Sequence, residues 1–292
     1  MTIKNFRPPT IAVPLLLLVA STFSASGLST LVMNEFGWST LFSERLIYCA
    51  LAMSNACILV LLAKHCGANV REFLIGQSWK CGLPLAVVLG VAVALSGFGV
   101  EALLEYPLAV FDSRAATQLY KLSPIAVPTA GLSADINTLS LFLMYVIATP
   151  ILEELVFRGF IFRRIAQKHG VFIGLIVSSL IFGLFHWPRL LSASFSGLVL
   201  TLVYLRNQSL ITSMVAHAVA NLIVTIGLWF TSFPFRKDIY HLARFGNWWI
   251  EAISLGFGVL LAIYVAFWLW PKPGEHGPVR ECSGDMPQNV RH

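Results

Sequence analysis

Charge is what this sequence has least of. Lys, Arg, Asp and Glu make up 12% of its 292 residues, while 57% are hydrophobic. Ordinary soluble domains run at about 25% charged and about 45–50% apolar. So little polar surface cannot wrap a soluble globule of this length, and it equally excludes a disordered chain. The net charge of +6 is no nucleic-acid signal, because the twenty bases are scattered and no run of like charges tracks a phosphate backbone. Cysteine is scarce too: Cys49, Cys57, Cys66, Cys81 and Cys282 are odd in number and form no CxxC, which argues against a disulfide framework or a thiolate metal site. GxSxG and HExxH are missing, so neither a nucleophile elbow nor the usual zinc-hydrolase helix is present. No internal repeat or low-complexity tract occurs. What the chain does have is a mean hydropathy of +0.76 and long stretches without charge, the pattern of an integral membrane protein.

Uncharged windows cover 8–34, 46–63, 81–100, 136–152, 169–188, 190–205, 207–235 and 252–271. A spanning helix needs about 20 apolar residues, so the windows predict an all-α polytopic bundle of about eight transmembrane helices. That bundle occupies residues 1–272, and a flexible tail follows over 273–292. The window 190–205 is the weakest, and 136–152 runs into Glu153-Glu154 with no turn signal. With the N-terminus inside, connecting Lys and Arg divide twelve inside to seven outside, Arg158 lying within a span. The positive-inside bias then puts both termini in the cytoplasm, consistent with a bacterial plasma membrane. Lys4, Arg7, the apolar Ile11–Phe23 and Ser24-Ala25-Ser26 look like a signal peptide. The apolar stretch continues through Met33, however, and predicts a retained first helix. The connections 105–135, with Pro107, Pro124 and Pro128, and 231–249, rich in Phe, Tyr and Trp, are expected at the outer face. The second reads as an interfacial aromatic belt. Glu101 and Glu251 fall at outer span ends.

Ionisable residues inside a span are costly, at about 2.5–3.5 kcal/mol each on insertion scales, and so carry information. Glu153, Glu154 and Arg158 fall within six positions of the fourth span. Glu154 and Arg158 stand at i,i+4 with the acid N-terminal, the favourable order for an intrahelical pair. Glu153, rotated about 100° away, has no such partner and must look to another helix. Candidates are His186 in the fifth span and His217 with Asn221 in the seventh, the last two sharing one helix face at i,i+4. One Glu, two His and one Asn suit water activation and oxyanion stabilisation. The aspartates, Asp112, Asp135, Asp238 and Asp285, all lie outside the spans, which argues against an aspartyl dyad. A zinc ion held by Glu153, His186 and His217 is chemically admissible, though nothing local demands it.

Glu153-Glu154-x-x-x-Arg158, Phe182-x-x-x-His186 and His217-x-x-x-Asn221 follow one another on successive spans. Together with Phe195-Ser196-Gly197-Leu198 and Tyr204-Leu205-Arg206, they resemble the motifs of the CAAX protease and bacteriocin-processing family of intramembrane endopeptidases. That family includes the prenyl-protein endoprotease and lysostaphin-resistance-like proteins. The resemblance covers about 140–226, and no motif position departs from the pattern. It implies an eight-helix bundle with a site at membrane depth. Glu153 with His186 would activate water, His217 and Asn221 would hold the oxyanion, and Glu154 and Arg158 would support them. A metal-free mechanism is favoured over zinc. The substrate would be a membrane-embedded or lipid-anchored protein or peptide in the bilayer, with no role for nucleic acid. Two other readings compete: a transporter using Glu, Arg and His as a proton relay, and a catalytically silent immunity or scaffold member. One expectation is in tension with the rest. Counted at 1.5 Å per residue from inner edges at Arg163, Gly170 and Ser209, Glu153 lies about 15 Å deep, His186 about 24 Å and His217 about 12 Å. Helix tilt, or a fourth helix running on to Lys168, must reconcile these depths.

Overall fold

A backbone in hydrocarbon has no water to satisfy its N–H and C=O groups, so an apolar chain of this kind must close its hydrogen bonds within helices. That is the architecture of the computed structural model, which describes residues 10–36, 40–76, 79–112, 138–187 and 189–231, with 114, 253, 256–260, 263–264 and 267. The elements are α1 (Ala12–Phe36), α2 (Thr40–His65), the short α3 (Val70–Leu74), α4 (Trp79–Phe111), α5 (Thr138–His169), α6 (Val171–Leu184), α7 (Leu190–Asn207) and α8 (Leu210–Thr231). No strand occurs among the described residues. Segments within α1, α2, α5 and α7 are long and apolar enough to cross a membrane, and α4, α6 and α8 contain shorter apolar stretches. Seven of the eight uncharged windows thus coincide with described helices, the weak 190–205 window included. Most of the eighth window, the connection from 115 to 137, the 232–249 segment, Glu251 and the tail lie outside the described residues, as do Lys4 and Arg7.

Two boundaries differ from the sequence reading. The fourth helix does not end at Arg163, taken as its inner edge, but continues to His169, the extension the sequence offered as one way to reconcile the depths, with Glu153, Glu154 and Arg158 buried inside it. The connection expected at the outer face begins later than 105, since α4 runs through Pro107 to Phe111.

α4 packs along α8, α6 along α7 and α1 along α2. Small residues permit the close approach expected where lipid gives helices no hydrophobic reason to associate. A Cβ at Gly90 of α4 would sit 2.5 Å from the Ala216 carbonyl of α8. Polar side chains also turn inward: Asn55 Nδ2 of α2 donates to the Leu17 carbonyl at 3.0 Å and to Ser21 Oγ at 2.7 Å on α1. Large apolar side chains such as Leu16, Phe23, Leu61, Phe172 and Leu180 face outward.

The α7–α8 turn is packed into the bundle. Ser209 and Leu210 are fully buried, so neighbouring segments enclose this turn. Gln208 adopts φ 50 there, and Gly76, itself at φ 64, lies so close to the Gln208 carbonyl that any Cβ would overlap it. The α3 helix, capped by Asn69, carries buried Phe73 against Phe160 with ring centroids 5.9 Å apart. The extension of α5 puts Glu153 about 24 Å from its C-terminal end at 1.5 Å per residue, level with His186.

Candidate active site

α5 supplies the carboxylates from an unusual stretch. Two wide-turn π-helical segments, Leu143–Ala148 and Leu155–Phe162, flank a single α-helical run, Thr149–Glu154. Such turns concentrate at functional sites. Pro150 gives a local cause, because its ring lacks an N–H and crowds the carbonyl four residues earlier, which a widened turn relieves.

Glu154 is completely enclosed. Its Oε1 accepts from Arg158 Nη1 at 2.7 Å and from His217 Nδ1 at 2.8 Å, and its Oε2 accepts from Ser213 Oγ. Arg158 is equally occupied: Nη2 donates to the Gly197 carbonyl at 2.9 Å, Nε to Thr201 Oγ1 at 3.4 Å, and the guanidinium lies 4.8 Å from the Phe182 ring centre. Burying two charges is tolerable only with this degree of pairing and hydrogen bonding.

Glu153 stands in the opposite condition. Its Oε2 is buried with no hydrogen-bond partner, facing His186 Nε2 at 3.7 Å and His217 Nε2 at 3.8 Å. Both distances exceed a direct hydrogen bond and suit a bridging water. The imidazole tautomers follow from their other nitrogens. His186 Nδ1 lies 2.7 Å from the Phe182 carbonyl, which can only accept, so Nδ1 carries the hydrogen. His217 Nδ1 faces a Glu154 oxygen already accepting from Arg158, so it too is the donor. Without a further proton, each ring then presents a bare Nε2 toward Glu153. Three acceptors converge there with no protein donor between them.

Asn221, one turn beyond His217, donates from Nδ2 to the Tyr145 carbonyl of α5 at 2.8 Å. The structure therefore gathers Glu153, Glu154, Arg158, His186 and His217 into one contact set and ties Asn221 to the same helix. Among the described residues, no group of three or more His, Cys, Asp or Glu is placed to hold a metal ion. Glu153, His186 and His217, the trio read from the sequence as possible zinc ligands, do meet, with the two Nε2 atoms 3.7 and 3.8 Å from Glu153 Oε2.

Sequence reasoning missed three contributors. Ser213 sits four residues before His217, so the spacing that linked His217 to Asn221 extends one turn back and could have found it. Thr149 precedes Glu153 by four and donates to buried Tyr48 of α2 at 3.4 Å. Tyr145 enters through its backbone, which no side-chain pattern advertises.

Comparison with known proteins bears on this part of the chain. The family described as type II CAAX prenyl endopeptidase Rce1-like matches residues 135–223, a window that encloses all six residues. A relative from Bacillus subtilis (strain 168), named "Putative membrane peptidase YdiL", is 27% identical over 175 residues, covering 59% of this chain and 67% of the relative. No solved structure matches. The ordered motifs, the helical membrane architecture and these two similarities all point the same way: the chain is similar to CAAX-type membrane endopeptidases over the stretch that carries the site.

Proposed function

We propose that the protein is an intramembrane endopeptidase that hydrolyses a peptide bond of a membrane-associated substrate with water activated by Glu153 and His186. The observation that carries this reading is the unpartnered Glu153 Oε2, set between two imidazole nitrogens of fixed tautomer. A water there can donate to two of the three acceptors, which both holds it and polarises it.

Charge balance supplies the proton inventory. Glu154 and Arg158 cancel, so an ionised Glu153 leaves one negative charge in a buried cluster. A single proton on one of the facing groups makes the set neutral, the condition that burial favours. Placed on His217 Nε2, that proton creates an imidazolium whose Nδ1–H is held by the Glu154 carboxylate. As water oxygen bonds to the scissile carbonyl carbon, its proton passes to Glu153 and the C=O π electrons move onto oxygen. The His217 Nε2–H and the second amide hydrogen of Asn221 donate to that oxyanion. Collapse of the intermediate breaks the C–N bond as the Glu153 proton is delivered to the departing nitrogen. Each oxyanion donor of this kind is worth about 2.7–4 kcal/mol.

The test is turnover of an internally quenched, prenylated CAAX peptide by purified protein in liposomes. Cleavage that vanishes in Glu153→Gln supports the reading. Wild-type cleavage by Glu153→Gln overturns it. Glu153-dependent proteolysis also separates an enzyme from a proton-relay transporter or a silent scaffold.

A further inference from the structure

We propose that Pro150 is a positioning residue for Asn221: by leaving the Tyr145 carbonyl without a backbone donor, it anchors and orients the Asn221 amide. The inference rests on the function proposed above and deepens it. In a regular α-helix the Tyr145 carbonyl would accept from the N–H of residue 149. In this helix the Thr149 N–H donates one residue earlier, to the Met144 carbonyl. Within that wide-turn register the donor due to Tyr145 is residue 150, and a proline has none. A carbonyl orphaned at membrane depth requires a partner from elsewhere in the protein. Asn221 Nδ2 is that partner, at 2.8 Å.

The consequence for chemistry is directional. A carbonyl oxygen only accepts, so the Asn221 nitrogen, not its oxygen, must face Tyr145. The same –NH2 group keeps its second hydrogen, and that hydrogen is the donor required at a developing oxyanion. Released from Tyr145, the amide could rotate by half a turn and present an acceptor where a donor is needed. A helix-breaking residue on α5 thereby sets the orientation of a polar group on α8, which the proximity of their side chains in sequence would never suggest.

A double-mutant cycle on the full-length protein in detergent tests this. Pro150→Ala restores an N–H at position 150, which re-pairs the Tyr145 carbonyl and frees Asn221. In the parent background, Asn221→Ala orphans that carbonyl and should lower the melting midpoint by about 2–6 °C. In the Pro150→Ala background the same substitution should cost less than half as much. Equal losses in both backgrounds overturn the proposal, whatever the catalytic activity. With the prenylated peptide, Pro150→Ala should lower kcat at least about tenfold while KM moves less than about twofold, the mark of a donor used in the transition state. Added to Asn221→Ala it should cost less than a further factor of about two. Multiplicative losses, or unchanged kcat in Pro150→Ala, overturn the proposal. Pro150→Ser supplies the same N–H and must give the same couplings, which guards against a folding artefact of the first variant. Glu153→Gln is run alongside: if it retains turnover the proteolytic reading fails, while the melting cycle still decides the role of Pro150.

Discussion

Glu153 and Glu154 are the same residue, adjacent on one helix, and the protein treats them in opposite ways. Glu154 is held by Arg158, His217 and Ser213, and that face of α5 is closed against α7 and α8. Glu153, rotated by one residue, meets two imidazole nitrogens across gaps too long for direct bonds and keeps an oxygen unpartnered. Chemical identity therefore does not assign the roles. A fully satisfied buried charge is fixed, and its removal damages the fold. An unsatisfied one is available to reactants, and its removal should damage only the chemistry. The sharpest predictions attack that division.

The largest effect is expected at Glu153. Glu153→Gln keeps the shape and removes the base, so turnover of the prenylated peptide should fall by about 10²–10⁴-fold or more. Its melting midpoint should equal or exceed that of the parent, because an orphaned carboxylate contributes nothing to stability. A large loss of stability in this variant would erase the contrast with Glu154. His186→Ala should behave similarly in turnover, since its Nε2 faces the same carboxylate.

On the other face the order reverses. Arg158→Met leaves Glu154 as an uncompensated buried charge and should destabilise the protein by about 3–5 kcal/mol, seen as a large drop in melting midpoint. Adding Glu154→Leu to Arg158→Met should recover part of that stability without restoring turnover, because His217 Nδ1 then loses its acceptor. No recovery would mean that the pair is not the source of the loss. Ser213→Ala removes one donor from the charged Glu154 and should cost about 1.5–3 kcal/mol. Turnover in the fraction that stays folded should be less affected than in Glu153→Gln.

This contrast was half legible in the sequence. An i,i+4 acid–base pair with a leftover acid at i−1 announces which carboxylate is satisfied locally, and it required no tertiary knowledge. The identity of the partners on other helices was legible only as a short list of intramembrane polar residues, with His217 and Asn221 tied by spacing. Ser213 lay on the same ladder and was passed over because serine in a span is not costly enough to stand out. Tyr48 and the Tyr145 carbonyl were beyond reach for a different reason. One depends on how α2 packs against α5, the other on a change of helical register around Pro150, and neither leaves a periodic trace. The counted depths of Glu153 and His186 disagreed because Arg163 was taken as the inner edge of a helix that continues to His169.

The smallest effect expected is none, and it concerns the open face. Both histidines anchor Nδ1 and present a bare Nε2 toward Glu153, a second-sphere arrangement that metal-ligating histidines also use. Two physical solutions satisfy three converging acceptors: a proton with a water, or a cation. The proton solution leaves the buried cluster neutral with Glu154 and Arg158 already paired, whereas a divalent ion would add two positive charges to a set carrying one negative. Exhaustive chelation followed by assay in metal-free buffer should therefore leave turnover of the peptide within about twofold of the untreated enzyme. A collapse of activity that zinc alone restores would move Glu153 from base to ligand, and with it both imidazoles. The division between the two carboxylates would survive even then, because Glu154 would still be the one that orients and Glu153 the one that reacts.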